Sequence, residues 1–236
     1  MASTDGPEYP GIQEGLVYAF DPKNQKCWKG GTTSISDLVS ETTGTPTAFD
    51  SDEFDGALTT EGYLTYDGTD DYIITTMDGT SSSRFGSGDN KELTISFWVN
   101  LDDTSAQKGM FQWSNVTKSP SPMVLIISVT NLIKFYVNNG YRNLSGGISA
   151  GTWYNFTLTH AASDNTWRSY LNGVANTSYV GGVHSTHEAI ADDIYFMNGY
   201  NAMGDGKMGP FLLYDRALSA GEVLTNYNRL KGRFGL

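Results

Sequence analysis

The sequence predicts an all-β protein, a two-sheet antiparallel sandwich with one short C-terminal helix. Charged residues make up only 17% of the 236-residue chain, whereas aromatic residues make up 13% and 27 residues are glycine. This composition favours strands joined by tight turns over helices. About a dozen short strand patterns follow one another at fairly even spacing, which is typical of a sandwich. We find no internal repeat and no linker, so we expect residues 15–236 to form one domain.

The clearest strands alternate between apolar and polar residues. In ELTISFWVNL the apolar set occupies every second position, at Leu93, Ile95, Phe97, Val99 and Leu101. A period of two places such side chains on one face of a strand, so this face should point to the core. The segments NLIKFYVNN and TWYNFTLTH repeat the pattern, and GLVYAF, residues 15–20, begins the fold.

Two local signals predict a hairpin and the helix. Asn172 and Gly173 stand between two strand patterns and suit a type I′ turn, which needs a positive φ at both positions. Ser219 is a candidate N-cap, and Glu222 three residues later completes a capping box. Val223, Leu224, Tyr227 and Leu230 follow at helical spacing, which predicts a helix that packs on one side.

The charge balance excludes nucleic acid as a partner. The formal net charge is −11, and no cluster of lysine and arginine is present to release counterions from phosphates. The longest apolar run, Met123–Val129, is too short to insert through a bilayer, so we expect no membrane insertion. The single cysteine, Cys27, rules out a disulfide framework, and we expect it to be a small packing residue.

Residues 1–14 are predicted to be a flexible arm or a peptide that docks on a partner. Gly6, Pro7, Pro10 and Gly11 disfavour regular structure there. The segment has neither a basic stretch nor an apolar core, so we expect no signal peptide. A protein of this kind that acts outside a cell would leave it by lysis or on a particle.

Five segments together resemble a known family. They are GLVYAFDPKNQKCWKGGTTSISDL, YLTYDGTDDYI, ELTISFWV, GTWYNFTLTHAASDNTWRSYLNGV and GKMGPFLLYDRALSAGEVLTNYNRLKGRFGL. They are similar to the conserved motifs of LamG-like domains, which are jellyrolls of the concanavalin A-like lectin/glucanase class. The resemblance runs from Gly15 to Leu236 and implies a jellyroll sandwich. That fold hosts lectins, glycosidases and structural modules, so the fold alone does not decide the function.

The closing NYNRLKGRFGL resembles stand-alone LamG-like virion proteins of bacteriophages, especially marine ones. The resemblance implies a non-enzymatic structural protein on the virion exterior, made in the host cytoplasm, as a capsid decoration or a tail-associated protein. Its partners would be other virion proteins and weakly bound host-surface glycans, with a homo-oligomer as one arrangement. The alternative is a dedicated carbohydrate-binding adhesin, and a third reading is a glycoside hydrolase.

The sequence offers little support for catalysis. Jellyroll glucanases resemble one another in a Glu-x-Asp-x-x-Glu strand, which this chain lacks, and retaining hydrolysis needs two carboxylates about 5 Å apart. No Gly-x-Ser-x-Gly elbow is present. The segment HSTHEAIADD brings His184 and His187 near three acidic residues, but we interpret it as a solvated loop rather than a zinc site. We therefore expect no enzyme activity and no required cofactor.

Three aromatic residues are candidates for carbohydrate binding. Trp98, Tyr136 and Trp167 lie on the polar phase of their strands, from which they could line the concave sheet. Sugars dock on aromatic faces beside hydrogen-bonding groups. The competing interpretation is that these large rings pack under a covering loop or in a second layer, as large aromatic residues usually do.

The aspartates of YLTYDGTDDYI are open to two interpretations. We expect Gly68 to take a positive φ and the aspartates to accept hydrogen bonds from turn amides, between two neighbouring strands. A catalytic pair is disfavoured because no second carboxylate is evident near them. A structural calcium ion bound by Asp70 or Asp71 is the second interpretation, because calcium prefers carboxylates and backbone carbonyls, and the resemblance implies it.

Overall fold

The computed structural model describes residues 11–28, 34–40, 42–75, 92–113, 123–127, 132–137, 140–144, 147–164, 166–176, 193–199 and 202–236. The strands within these ranges are β1 (Leu16–Phe20), β2 (Ile35–Ser36), β3 (Thr43–Thr47), β4 (Leu64–Asp67), β5 (Tyr72–Thr75), β6 (Leu93–Leu101), β7 (Lys108–Trp113), β8 (Met123–Ile127), β9 (Leu132–Val137), β10 (Gly140–Leu144), β11 (Trp153–Ala161), β12 (Thr166–Leu171), β13 (Val174–Ala175), β14 (Ile194–Phe196), β15 (Asn198–Gly199), β16 (Ala202–Met203) and β17 (Asp205–Tyr214). Helix α1 spans Ala220–Leu230, and short 3-10 helices span Ser51–Phe54 and Lys231–Phe234.

Two antiparallel sheets form the body of the protein. The first has seven strands in the order β1-β17-β6-β11-β12-β13, with β4 also paired to β17. The second has eight strands in the order β10-β9-β8-β7-β14-β5-β3-β2. The central pairs, such as β6 with β11 and β7 with β14, are antiparallel. This arrangement confirms the predicted all-β sandwich and its short C-terminal helix.

The main core lies between the two sheets and is rich in phenylalanine. Phe97 on β6 contacts Phe111, Phe156 and Phe211, with ring centroids 6.5, 5.6 and 6.3 Å away. All four rings are at most 2% exposed. The alternating residues Leu93, Ile95, Phe97, Val99 and Leu101 all belong to this core, as the period of two predicts.

The opposite face of the seven-stranded sheet is buried as well. Side chains from β1, β6, β11, β12 and β17 meet residues of α1 and the 231–234 helix there, and we call this the outer cluster. Its centre is Trp98, which stacks on Phe234 at a centroid distance of 4.4 Å and on Tyr227 at 5.6 Å. The C-terminal helices therefore act as a third layer on the sandwich.

Residues 11–14, part of the predicted arm, are held against this third layer. The Ile12 amide donates to Asn226 Oδ1 at 2.8 Å, and the Tyr214 hydroxyl donates to the Ile12 carbonyl at 3.0 Å. Arg216 Nε donates to the Glu14 carbonyl at 2.9 Å. These four residues therefore belong to the body of the domain, and residues 1–10 lie outside the described ranges.

The predicted helix start and hairpin turn are both confirmed. The Ser219 amide donates to Glu222 Oε2 at 2.8 Å, and the Glu222 amide donates to Ser219 Oγ at 3.3 Å, which is the capping box. Asn172 and Gly173 have φ values of 52° and 76°. A Cβ on Gly173 would lie 2.9 Å from the Tyr227 side chain, so the turn packs directly on α1. No helix in the described ranges is long and apolar enough to cross a bilayer.

The ion pair at the start of α1 predicts a measurable acid sensitivity. Arg216 donates to both Glu222 oxygens, at 3.1 and 2.6 Å, and with the Ser219 amide this lowers the pKa of Glu222 from 4.5 to about 2. A lowered pKa in the folded state contributes stability above pH 4.5, which is lost as the pH falls toward 2. Because the pair is partly exposed, we expect Glu222→Gln to lower the free energy of unfolding at pH 7 by about 1 kcal/mol.

Urea unfolding at several pH values tests this expectation. The difference between the wild type and Glu222→Gln should shrink between pH 4.5 and pH 2. The exposed Asp102, remote in sequence from α1, provides the charge-matched control Asp102→Asn. An unchanged difference across this pH range would contradict the assignment.

Candidate functional site

Three carboxylates meet where the YLTYDGTDDYI segment passes from one sheet to the other. Glu53, Asp67 and Asp71 each place a carboxylate oxygen within 4.8 Å of the others, and we call them the acidic cluster. Asp71 is 1% exposed, Glu53 is partly buried and Asp67 is exposed. None of the three forms an ion pair with a residue in the described part of the chain.

Local hydrogen bonds shape the turn that carries two of these residues. Asp67 Oδ1 accepts from the Thr69 amide at 2.7 Å, and Asp71 Oδ2 accepts from the Asp67 amide at 2.8 Å. Gly68 has a φ of 77° and lies against Asp205, whose Cβ would be 2.7 Å from an added Cβ. The predicted positive φ and the aspartate-to-amide bonds are therefore confirmed.

The two strands joined by this turn are not neighbours in one sheet, which corrects the sequence-based expectation. β4 pairs with β17 in the seven-stranded sheet, whereas β5 pairs with β14 and β3 in the eight-stranded sheet. The DGTDD segment is therefore a crossing between sheets rather than a hairpin. As a result Asp71 turns inward at the sandwich edge, where burial makes its charge costly.

The surroundings of Asp71 favour a neutralising partner. Burial first of all, and then the Glu53 and Asp67 carboxylates, raise the pKa of Asp71 from 3.8 to about 7, although the Asp67 amide opposes the shift. Glu53 is oriented by the amide of Asp50, which donates to Glu53 Oε2. A group of negatively charged oxygen ligands, with no ion-pair partner among the described residues, fits a hard cation such as calcium, with backbone carbonyls or water completing the coordination.

The structure separates the two aspartates that the sequence offered as calcium ligands. Asp71 belongs to the acidic cluster, whereas Asp70 is exposed and is not one of its members. Sequence reasoning missed Glu53 and Asp67, and its premise that Asp71 has no carboxylate neighbour is wrong. Asp67 belongs to the YLTYDGTDDYI segment, close to Asp71 in sequence. Glu53 lies on a separate 3-10 helix, and no local sequence pattern indicates that it lies near Asp71.

We predict that calcium stabilises the protein through Asp71 and not through Asp70. At a calcium concentration about a hundredfold above its Kd, the melting temperature should rise by about 5 °C relative to chelator. Asp71→Asn should abolish this rise, and Asp70→Asn, one residue away and exposed, should keep it. Differential scanning calorimetry of the three proteins makes the comparison. No rise in the wild type, or a rise retained in Asp71→Asn, would remove the calcium site.

Trp98 and Trp167, two of the three aromatic residues predicted to bind carbohydrate, are buried rather than at the surface, which corrects the prediction for these two. Trp98 is 2% exposed because the C-terminal helices cover it, and Trp167 is 0% exposed because it faces the main core. Trp167 packs on Phe135 and His160, each with a ring-centroid distance of 4.9 Å. The Tyr136 side chain lies outside the described residues, as do His184, His187 and most of the HSTHEAIADD segment.

Cys27 is a packing residue, as predicted. Its side chain is 2% exposed, and Sγ accepts from the Asp21 amide at 3.3 Å. Burial raises the pKa of the thiol to about 12, so the nucleophilic thiolate is scarce at neutral pH.

A groove of about 510 Å³ lies beside the start of α1, on the outer face of the seven-stranded sheet. It is bordered by the beginning of β6, the β11–β12 hairpin and the residues that lead into α1. Its volume is within the range of about 300–1,000 Å³ that is usual for small-molecule sites. Its lining includes Glu92, Ser163, Asp164, Arg168, Tyr170 and Glu222.

Glu92 connects two walls of this groove. Its Oε1 accepts from the Ala162 amide at 3.3 Å and its Oε2 from the Ala217 amide at 3.5 Å. On the hairpin side, Arg168 pairs with Asp164 and lowers the pKa of that carboxyl. Tyr170 is 6% exposed and belongs to the outer cluster, so the groove rests on a packed layer. The described lining thus combines three carboxylates and one guanidinium with hydroxyl groups that both donate and accept.

A family model described as the concanavalin A-like lectin/glucanases superfamily matches residues 67–224, more than half of the chain. This chain belongs to that superfamily. The predicted family is therefore confirmed, and the match contains β5 to β17 and the first turn of α1. Comparison with curated protein sequences finds no match.

Solved structures of the same fold are distant in sequence. The Trypanosoma rangeli sialidase in complex with sialic acid is 11% identical with a TM-score of 0.64, over 96% of this chain and 36% of the sialidase. Botulinum neurotoxin type C, whose cell entry depends on interaction with two ganglioside molecules, is 11% identical with a TM-score of 0.67, over 92% and 51%. The binding domain of botulinum neurotoxin serotype G is 14% identical with a TM-score of 0.63, over 90% and 50%. The chain thus spans only a third to a half of these chains, and the likeness establishes the fold.

Proposed function

We propose that this protein is a non-enzymatic, glycan-binding component of a bacteriophage particle, displayed on the exterior as a capsid decoration or a tail-associated protein. The observation that carries the binding role is the polar groove of about 510 Å³ on the outer sheet face of a lectin/glucanase-superfamily domain, with three carboxylates in its described lining. One structure with the same fold is a sialidase in complex with sialic acid, and another is a neurotoxin whose cell entry depends on ganglioside molecules, which supports carbohydrate as the ligand class by analogy.

The chemistry of the groove suits saccharide hydroxyls. A sugar presents many O–H donors, and carboxylate oxygens accept such bonds more strongly than neutral acceptors do. Within the described part of the chain, Glu92 accepts long bonds from two amides, so its oxygens retain acceptor capacity. The exposed Ser163 at the rim adds a group that both donates and accepts.

The carboxylates argue against hydrolysis. Glycosidases need a general acid with a raised pKa beside the scissile bond. Glu222 in the groove has a pKa lowered to about 2 and is held by Arg216, which suits a structural anion rather than an acid. Asp71 has the raised pKa, but it is 1% exposed and does not line the groove. We therefore favour binding without turnover.

The particle assignment rests on the resemblance of the closing NYNRLKGRFGL to bacteriophage virion proteins. Weak binding at one groove becomes useful when many copies are displayed together, since avidity multiplies the affinity of each site. Ile12, near the end of the predicted 1–14 arm, is hydrogen-bonded to Asn226 and Tyr214 of the C-terminal layer, which also bond each other. A partner that binds the residues before Ile12 would therefore be linked directly to the folded domain.

A glycan array with the wild type and Glu92→Ala tests the binding role. We expect a defined set of saccharides to bind the wild type and to lose about tenfold in affinity in the variant, because Glu92 carries the groove carboxylate that retains acceptor capacity. Gln25→Ala changes an exposed residue of a separate hollow near Arg233 and is the control. A blank array, or equal loss in both variants, would count against glycan binding at this groove.

Particle proteomics with antibody labelling in electron microscopy tests the second part of the proposal. The protein should co-purify with particles and label the head or the tail. If it binds glycans but is absent from particles, the dedicated adhesin is the better description. Release of free sugar from an array-positive glycan would instead establish a glycoside hydrolase.

A further inference from the structure

We infer that the groove recognises a sugar carrying a free amino group, and that Glu92 receives the ammonium. This inference rests on the proposed glycan-binding function and specifies its ligand class. Three conditions must hold. The groove must attract positive charge, and Glu92 must have no competing cationic partner. The Arg168 guanidinium, which lines the groove, must already be paired with a carboxylate.

The described residues that line the groove include three carboxylates and one guanidinium. The carboxylates are those of Glu92, Asp164 and Glu222, and the guanidinium is that of Arg168. The whole chain adds a net charge of −11, so its long-range field has the same sign as the groove. The positive end of α1 also borders the groove, but Glu222 in its capping box offsets that charge. An anionic sugar such as a sialic acid would therefore be repelled both by the groove carboxylates and by the net charge of the chain, whereas an ammonium would be attracted.

Two of the three carboxylates already have cationic partners. Asp164 accepts from both terminal nitrogens of Arg168, and Glu222 accepts from both terminal nitrogens of Arg216. The Arg168 guanidinium is consequently engaged and is a poor receptor for a sugar carboxylate. Among the described residues that line the groove, no cation is therefore available.

Among the described residues of the lining, Glu92 is the carboxylate without a cationic partner. It forms no ion pair with any residue of the described ranges, and its two bonds to backbone amides are 3.3 and 3.5 Å long. Charge-assisted N–H···O bonds are shorter, at about 2.7–2.9 Å. A partly buried carboxylate held only by long bonds is a strong acceptor for a ligand ammonium.

The position of Glu92 suits this role. The bonds to Ala162 and Ala217 hold its carboxylate between the hairpin wall and the segment that leads into α1. The neighbouring Thr94 side chain accepts from the Leu218 amide at 2.9 Å and donates to the Arg216 carbonyl at 2.8 Å, which fixes the same segment. The acceptor is thus presented by a rigid frame before a ligand arrives.

Titration calorimetry with matched oligosaccharides tests the inference. A glucosamine oligomer should bind at least about tenfold more tightly than its N-acetylated counterpart, because acetylation removes the positive charge. A sialylated oligosaccharide should bind most weakly. Raising the salt concentration should weaken only the glucosamine oligomer, since salt screens the attraction.

Two variants assign the effect to residues. Glu92→Gln should remove the preference for the free amine, and the control Asp102→Asn, the same loss of charge just beyond the other end of β6, should keep it. Asp164→Asn should weaken amine binding and strengthen sialylated binding, because it releases Arg168. Circular dichroism confirms folding for each protein.

The outcomes separate the two proposals. Equal or tighter binding of the N-acetylated or sialylated oligomer overturns the amino-sugar inference and leaves glycan binding intact. An amine preference that survives Glu92→Gln and Asp164→Asn also overturns it. The absence of binding by every oligosaccharide overturns both this inference and the glycan-binding function.

Discussion

Replacing Trp98 with alanine should lower the free energy of unfolding by about 3–5 kcal/mol. The indole lies between the seven-stranded sheet and the C-terminal layer, at 4.4 Å from the Phe234 ring and 5.6 Å from the Tyr227 ring. Removing it leaves a cavity that the sheet cannot close. Helix α1 cannot close it either, because the capping box holds its start and the Arg233–Asp21 pair holds the segment after its end. The loss therefore includes both the transfer free energy and the cavity.

Urea unfolding followed by circular dichroism measures this effect. Trp98→Phe should recover much of the stability, because it keeps an aromatic face for Phe234. Val174→Ala, at a side chain that is 66% exposed, should change the free energy of unfolding by less than about 0.5 kcal/mol. If Trp98→Ala were as stable as the Val174 control, the packing of the outer cluster would be wrong. Any loss of glycan binding in Trp98→Ala should follow the loss of folded protein.

Arg233→Ala should cost a similar amount, about 3–5 kcal/mol, for an electrostatic reason. Arg233 donates two hydrogen bonds of 2.9 Å to the Asp21 carboxylate and two more to the Glu61 carbonyl. The Asp21 and Arg233 side chains are only 8% and 13% exposed. The variant would leave a buried carboxylate without its counterion and the end of the chain without its anchor.

A double-mutant cycle isolates the ion pair. Asp21→Asn combined with Arg233→Ala should be less destabilised than the sum of the single variants, because the unpaired charge disappears. Arg168→Ala supplies the control, since its pair with Asp164 is 41% and 45% exposed and should contribute about 0–1 kcal/mol. Additive single effects at Asp21 and Arg233 would contradict a direct interaction. Because Phe234 follows Arg233, the Trp98 and Arg233 variants should themselves be less than additive.

Several features of the fold could be predicted from short stretches of sequence. The alternation in β6, the Ser219–Glu222 capping box and the Asn172-Gly173 turn each depend on residues within a few positions of one another. Their energetics are local, because backbone dihedral preferences and neighbouring amides decide them. The family could also be recognised, since its motifs coincide with such local features.

The sequence by itself thus determined the strand pattern, the helix start, the all-β sandwich and the inward or outward phase of Leu93–Leu101. Only the tertiary structure decided that Glu53 joins Asp71, that β4 and β5 belong to different sheets, and that helices cover Trp98. It also brought Glu92 between Ala162 and Ala217, which are 70 and 125 residues away. The physical reason is that period-two alternation specifies two faces for each strand but not what covers them. Burial, charge neighbours and grooves arise from contacts between distant segments, which depend on packing of the whole chain.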